Sequence, residues 1–161
     1  VNSILSVYAR KARSRNIQVH MDVKVGEHLA VRDIDWIAIL ANAFENAIHG
    51  CTSSGASHQE INIYIAQKGN KIVIRFSNTS AENVNFHKGL PKSKKGAGLG
   101  VPSIIKTASR YDGETDFEVQ KGEFTTRILL NIPCCGEVYS TVTDFAKFLG
   151  LSTSHPFPTA T

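Results

Sequence analysis

A chain of 161 residues, 42% hydrophobic and 20% charged, is one domain's worth of ordinary globular sequence. It can bury a core without metal or disulfide staples. Its longest apolar runs, such as Trp36 to Ala41, fall far short of a membrane span, and no basic-then-apolar leader opens it.

The net charge of +4 would suit a polyanion. The basic residues are split, however, between Arg10, Lys11, Arg13 and Arg15 and a later group of Lys88, Lys92, Lys94 and Lys95. The first group reads as a solvated helix face, and nucleic acid is not expected as a partner. The chain starts at Val1 without a methionine, which suggests a fragment of a longer protein. Cys51, Cys134 and Cys135 have no ligand spacing for zinc, and so sparse a set fits a reducing compartment.

Residues 2 to 15 read as a helix with Ile4, Leu5, Tyr8 and Ala12 as its apolar stripe. Residues 17 to 25 alternate, with Ile17, Val19, Met21, Val23 and Val25 predicted on one buried face. Asp33 offers a cap for a helix running to about Ile48, whose core face is predicted as Ile37, Leu40, Ala41, Phe44, Ala47 and Ile48. Cys51 to Gln59 reads as a loop. Ile61, Ile63 and Ile65 mark a strand, Gly69-Asn70 a turn, and Ile72, Ile74 and Phe76 its antiparallel partner.

Residues 79 to 95 are polar and without period, a length that usually means function or motion. A glycine run leads into a helix from about Val101 to Tyr111, ended by Asp112-Gly113. Strands at about 114 to 120 and 124 to 132, joined at Lys121-Gly122, close the pattern, and Pro133 stops the last. This order predicts an α+β fold: a two-layer α/β sandwich with a mixed, mostly antiparallel sheet and helices on one face. Residues 134 to 161 read as a C-terminal extension, partly disordered, with a Ser/Thr/Pro-rich end.

Two features carry chemistry. Asn42 and Asn46 lie four apart, one turn above the other, with Asp35, Ala38 and His49 near the same line. Asparagine is a poor helix former, so two of them aligned mid-helix need a reason. Either their amide oxygens face a hydrated Mg²⁺, which takes one or two protein oxygens and keeps waters, or they form a polar surface stripe. The second feature is Gly96-Ala97-Gly98-Leu99-Gly100, beside Lys94 and Lys95 and opening a helix whose free amides favour phosphate. A Walker loop is excluded because no Gly-Lys-Ser/Thr occurs, and a dinucleotide fingerprint is discounted because a polar loop, not a strand, precedes the glycines.

The segment Ile39-Leu40-Ala41-Asn42-Ala43-Phe44-Glu45-Asn46-Ala47-Ile48 resembles the N box of the GHKL, or Bergerat-fold, ATPase superfamily of histidine kinases, type II topoisomerases, heat-shock chaperones and mismatch-repair ATPases. Lys94 to Val101 is similar to its second glycine box, and Leu130-Asn131-Ile132-Pro133 to its terminal strand. The resemblance covers roughly Ile17 to Pro133 and is nearest to the peptide- and quorum-sensing histidine kinases. It implies an end of a dimerisation helix at 1–15, an ATP-binding catalytic domain at 16–133 and the extension at 134–161.

The resemblance also implies the cofactors ATP and Mg²⁺ and a role for each site residue. Asn46 would be the metal ligand, and Asn42 would hold a metal-bound water or a phosphate. Glu45 is the acid usual in the box, with a catalytic role or a local pairing both open. His49 stands where relatives place a phosphate-contacting base, or is a solvated surface residue. Lys94 would act catalytically near the phosphates, with Gly96, Gly98, Leu99 and Gly100 cradling them and residues 79–95 as a mobile ATP lid. The usual Asp-x-Gly-x-Gly is missing, and Asn78 is the candidate for the adenine amine, with low ATP affinity expected. Thr126 is a candidate for an adenine-pocket contact.

The family reading makes the chain a protein-histidine kinase fragment, a cytoplasmic domain of a membrane-anchored receptor. Its partners would be a dimerisation and phosphoacceptor domain of the same protein, present as a homodimer, and a response regulator. None of the six histidines has the expected acidic neighbour on a helix, so the fragment alone should bind nucleotide without phosphorylating itself. The rivals are a clamp ATPase, an anti-sigma-type serine kinase and a non-catalytic scaffold.

Overall fold

A computed structural model describes residues 1–26, 29–87, 89–91 and 99–132. The order is α1 (Asn2–Arg13), β1 (Gln18–Lys24), α2 (Asp33–Ser54), β2 (Glu60–Lys68), β3 (Lys71–Thr79), β4 (Phe86–His87), β5 (Leu90–Pro91), α3 (Gly100–Ser109), β6 (Glu114–Gln120) and β7 (Glu123–Asn131). Five strands form one sheet in the order β1-β2-β3-β7-β6. Only β1 and β2 are parallel, joined through α2; the other pairs are antiparallel. This is the expected α+β sandwich.

Paired residues share a sheet face, so register shows which side chains meet the helices. The row Met21, Ile63, Phe76, Thr126 and Phe117 lies on the helix side, as does the row Val23, Ile65, Ile74, Ile128 and Thr115. Phe76 meets Phe44 of α2 edge-on, ring centroids 5.5 Å apart. Phe44 also stacks on Tyr8 of α1 at 5.7 Å. One aromatic side chain thus joins both helices to the sheet.

Several boundaries and faces differ from the sequence expectation. The long helix ends at Ser54 rather than near Ile48, because Cys51 is fully buried and continues the apolar stripe of Ala47 and Ile48. Gly55, with φ 69°, then stops it in the left-handed conformation that glycine tolerates. Asp33 is not the cap: Arg32 holds that position without a side-chain cap bond, and Asp33 lies in the first turn, where its charge favours the helix dipole. Ile37 is 46% exposed instead of buried. The core stripe is turned toward Trp36, Ile39, Leu40, Ala43 and Phe44, which puts Ile37 on the outer side. In β1 only Val19 is buried, and Met21 is exposed, because an edge strand is covered on part of its length.

The other elements match closely. Lys121 and Gly122 both have positive φ, 50° and 77°, as a two-residue hairpin of the I′ kind requires. The stretch read as a structureless loop contains the small β4–β5 hairpin. Residues 133–161 and most of the glycine run lie outside the described residues. No helix among the described residues is long and apolar enough to cross a membrane.

Candidate nucleotide site

α3 crosses α2 at the turn that carries the two asparagines. A methyl group placed on Gly100 would lie 3.1 Å from Asn46 Oδ1 and 3.3 Å from Asn42 Oδ1. Both amide oxygens therefore converge on the first residue of the helix that follows the glycine run. A side chain at this position would have to displace the amides by a few tenths of an ångström. The Asn42 orientation has a cause: its Nδ2 donates to the Ala38 carbonyl oxygen at 2.6 Å and to Ser103 Oγ at 3.4 Å. With the NH₂ end held against α2 and α3, the acceptor end is presented to Gly100.

The N-terminus of α3 suits an anion. Leu99 occupies the cap position without a side-chain cap bond, and the first turn has no acidic residue. Among the described residues no side-chain cap is seen on its leading amides, and the helix dipole adds positive potential. Leu99 itself is 73% exposed.

Asn78 lies at the end of β3, buried, and its Nδ2 donates to the Thr79 carbonyl oxygen at 2.8 Å. It pairs with Phe124, and Phe76 pairs with Thr126, so Asn78 and Thr126 are diagonal neighbours on the helix face. Phe124 stacks on Phe86 at 6.4 Å and meets Phe117 at 6.5 Å, an aromatic wall beside Asn78. The described candidates Asn42, Asn46, Gly100, Asn78 and Thr126 thus belong to one helix-side layer.

Glu45 departs from this group. It is exposed and pairs with Lys11 of α1. His49 is also exposed; its carbonyl oxygen accepts from Thr52 Oγ1 at 3.1 Å. Lys94, Gly96 and Gly98 lie outside the described residues. A cavity of about 400 Å³ opens on the far face of the sheet, lined by His20, Asp22, Asn62, Arg75, Ser77 and Glu123. Its mixed charges do not form a phosphate cradle, and neither Asn42 nor Asn46 lines it.

The donor set fits a hydrated magnesium nucleotide. Neutral amide oxygens are hard ligands of the kind Mg²⁺ accepts beside phosphate and water. No group of three or more His, Cys, Asp or Glu side chains among the described residues could hold a metal without such help.

A family model described as the GHKL domain matches residues 31–131. The chain belongs to the GHKL domain family. A comparison with curated protein sequences found no significant match. Among solved structures, the GHKL domain is similar to the catalytic domain of histidine kinase ThkA, with a TM-score of 0.65 and 15% identity over 81% of this chain and 88% of that one. It is also similar to a mycobacterial sensor histidine kinase, MprB, at a TM-score of 0.59 and 13% identity over 82% and 96%. The Acinetobacter baumannii histidine kinase AdeS matches at 0.62 and 14% identity, over 81% of this chain and 62% of that one. At these identities the likeness is one of fold.

The GHKL domain also holds a buried charge cluster that sequence reading missed. By its spacing Asp35 falls on the polar line of α2, yet it is only 1% exposed. Its carboxylate accepts from Arg32 Nε at 2.7 Å, Arg110 Nη1 at 2.7 Å and the Tyr111 hydroxyl at 2.7 Å. The Arg32 hydrogen bond, aided by Tyr111 and Arg110 and opposed by burial, holds this carboxyl down at about 2 from the usual 3.8. The cluster ties the start of α2 to the residues after α3, so it fixes how the two helices cross at Gly100.

Replacing Asp35 with Asn should cost about 2 kcal/mol at neutral pH, since the arginines can return to water, and should lower the melting temperature by roughly 8 °C. The carboxyl is depressed in the folded state, so its contribution is full above pH 3.8 and fades as pH falls toward 2. Thermal melts across that window should show a slope in the native chain that the Asn variant lacks.

Two further residues were not expected. Ser103 had no signal beyond its place in the first turn of a helix. Gly50, inside a helix that otherwise favours side chains, was a visible anomaly; a methyl there would lie 2.5 Å from Asn78 Nδ2.

Proposed function

We propose that this GHKL domain is the ATP-binding catalytic domain of a sensor histidine kinase. The observation that carries the reading is the convergence of Asn42 Oδ1 and Asn46 Oδ1 on Gly100, at the uncapped start of α3. A triphosphate lying there meets helix amides on one side and amide oxygens on the other. When bound, Mg²⁺ would neutralise phosphate charge and orient the transferred group.

The chain's own residues then bind and position. Asn46 offers the direct oxygen ligand, and Asn42, clamped by Ala38 and Ser103, holds a coordinated water or a phosphate oxygen. The amides of Leu99 and Gly100, continued by Gly96 and Gly98, cradle the phosphates. Lys94 supplies a cation at the transferred group. His49, exposed and three residues after Asn46, is the candidate for a basic contact to phosphate. Asn78 accepts from the adenine amine, and Thr126 lines the same end. Glu45, engaged with Lys11, is read as a brace between α1 and α2 rather than a base.

Catalysis in this scheme is placement and charge compensation, with no covalent help from the protein. The acceptor is a histidine on a separate dimerisation domain of the same protein, within a homodimer, and a response regulator receives the phosphoryl group next. A membrane-anchored receptor with this domain in the cytoplasm is the setting proposed. A full-length ShkA structure in complex with AMPPNP shares the fold at a TM-score of 0.63, over 83% of this chain and 30% of that one, which supports an adenine nucleotide as ligand.

A neutral amide at Asn78 favours a second reading, a scaffold that binds nucleotide weakly and turns nothing over. Isothermal titration tests the nucleotide site that both share, and phosphoryl transfer separates them. Mg-ADP is expected to bind, weakly, and EDTA to abolish the heat. Full-length protein with labelled ATP should then give an acid-labile, base-stable phosphoryl group. Nucleotide heat without a phosphorylated product would favour the scaffold, and no heat at all would remove both readings.

A further inference from the structure

We infer that Gly50 and the Thr79 carbonyl set the purine preference of the site by fixing which end of the Asn78 amide meets the base. The inference rests on the reading of Asn78 as the base contact. A carboxylate accepts at both oxygens, so it can only receive the 6-amino group of adenine. An amide is two-sided: Oδ1 accepts from a 6-amino group, and Nδ2, after a half-turn, donates to the 6-oxo group of guanine or hypoxanthine. Asparagine by itself therefore does not choose between the purines.

The surroundings of Asn78 make the choice. The Thr79 carbonyl is an acceptor only, and it receives Asn78 Nδ2 at 2.8 Å. The NH₂ end is thereby turned to the backbone, and Oδ1 points the other way. This arrangement needs space at the adjacent turn of α2. A methyl on Gly50 would lie 2.5 Å from Asn78 Nδ2, 3.5 Å from its Cγ and 3.7 Å from the Thr79 carbonyl oxygen. Any side chain at position 50 must push the amide off that carbonyl. Glycine inside a helix is unfavourable relative to alanine, so its presence there has to be offset by something local. Room for the locked amide is that compensation. Gly50 is thus a positioning residue, one turn beyond Asn46, acting on the base through Asn78.

The test is calorimetric titration of the whole chain with Mg-ADP, Mg-GDP and Mg-IDP. The native chain should prefer ADP. Gly50→Ala should cut the ADP-over-GDP ratio by about tenfold, the worth of one hydrogen bond exchanged for a mismatch. In an Asn78→Ala background the same substitution should leave the ratio unchanged, because no amide remains to be displaced. Melting should report the same coupling, with Gly50→Ala lowering stability in the native background and raising it beside Asn78→Ala.

A ratio untouched by Gly50→Ala, or equal losses for all three nucleotides, would overturn the lock. A native chain without ADP preference would do the same. If Asn78→Ala binds every nucleotide as the native chain does, the base-contact reading itself fails. One measurement needs no variant: the Asn78 side-chain amide protons should exchange slowly in the native chain, and exchange at the free rate would remove the proposal.

Discussion

Asn46→Ala is expected to lower Mg-nucleotide affinity by about a hundredfold while leaving the domain as stable as before, or slightly more so. The two signs have separate origins. The Asn46 amide lies against Gly100, where the phosphates are proposed to lie, so its removal takes away the proposed oxygen ligand and any charge-assisted contact. Asparagine is also a poor residue for a helix interior. Alanine at that position should gain roughly 0.5 kcal/mol of intrinsic helix preference. Titration of Mg-ADP beside a thermal melt reads both quantities. A variant that binds as the native chain does would remove the metal-ligand assignment; a variant that unfolds would mean that Asn46 serves packing instead. Asn42→Ala is the useful contrast, because that side chain bonds both Ala38 and Ser103 and its loss should disturb the α2–α3 crossing as well.

Phe44→Ala should be the most damaging single truncation for stability, at about 4 kcal/mol. The ring is fully buried and meets Tyr8 of α1 on one side and Phe76 of β3 on the other. Large-to-small changes at buried aromatics cost about 3–5 kcal/mol through lost transfer energy and the cavity left behind. Two ring contacts add their own share. Chemical denaturation of native and variant chains measures the difference directly. The cavity would open under the stretch between Asn42 and Asn46, so nucleotide binding should weaken too, unlike the effect of a remote core truncation. A loss under 1 kcal/mol would show that α1 is not part of the cooperative unit.

How much of this could be read from the residues alone depends on how local each cause is. The isoleucines of β2 and β3 alternate with period two, and the asparagines of α2 repeat with period four; both patterns are written in neighbouring residues. The approach of Gly100 to Asn42 and Asn46 was legible because a spaced pair of amides and a run of small residues each point to phosphate chemistry. What remained hidden was set by elements far apart in the chain. Asp35 looks like a surface acid until Arg110 and Tyr111 arrive from beyond α3. Ile37 looks like a core residue until the neighbouring stripe through Trp36 and Leu40 claims the buried side. The role of Gly50 needs Asn78 from another strand. The extra turns of α2 past Ile48 follow from the burial of Cys51, which tertiary packing decides and local preference does not.

The pairing of β3 with β7 has a consequence for how this chain can vary. Thr79 is held opposite Glu123, and α3 is moored by Asp35 through Arg110, so both ends of the stretch from Ser80 to Leu99 are fixed by contacts outside it. Closing a chain between two fixed points costs entropy that grows only with the logarithm of its length. Doubling that stretch would cost about 0.6 kcal/mol. Insertions and deletions there are therefore nearly free for the sheet, and the stretch can change in length without threatening the fold.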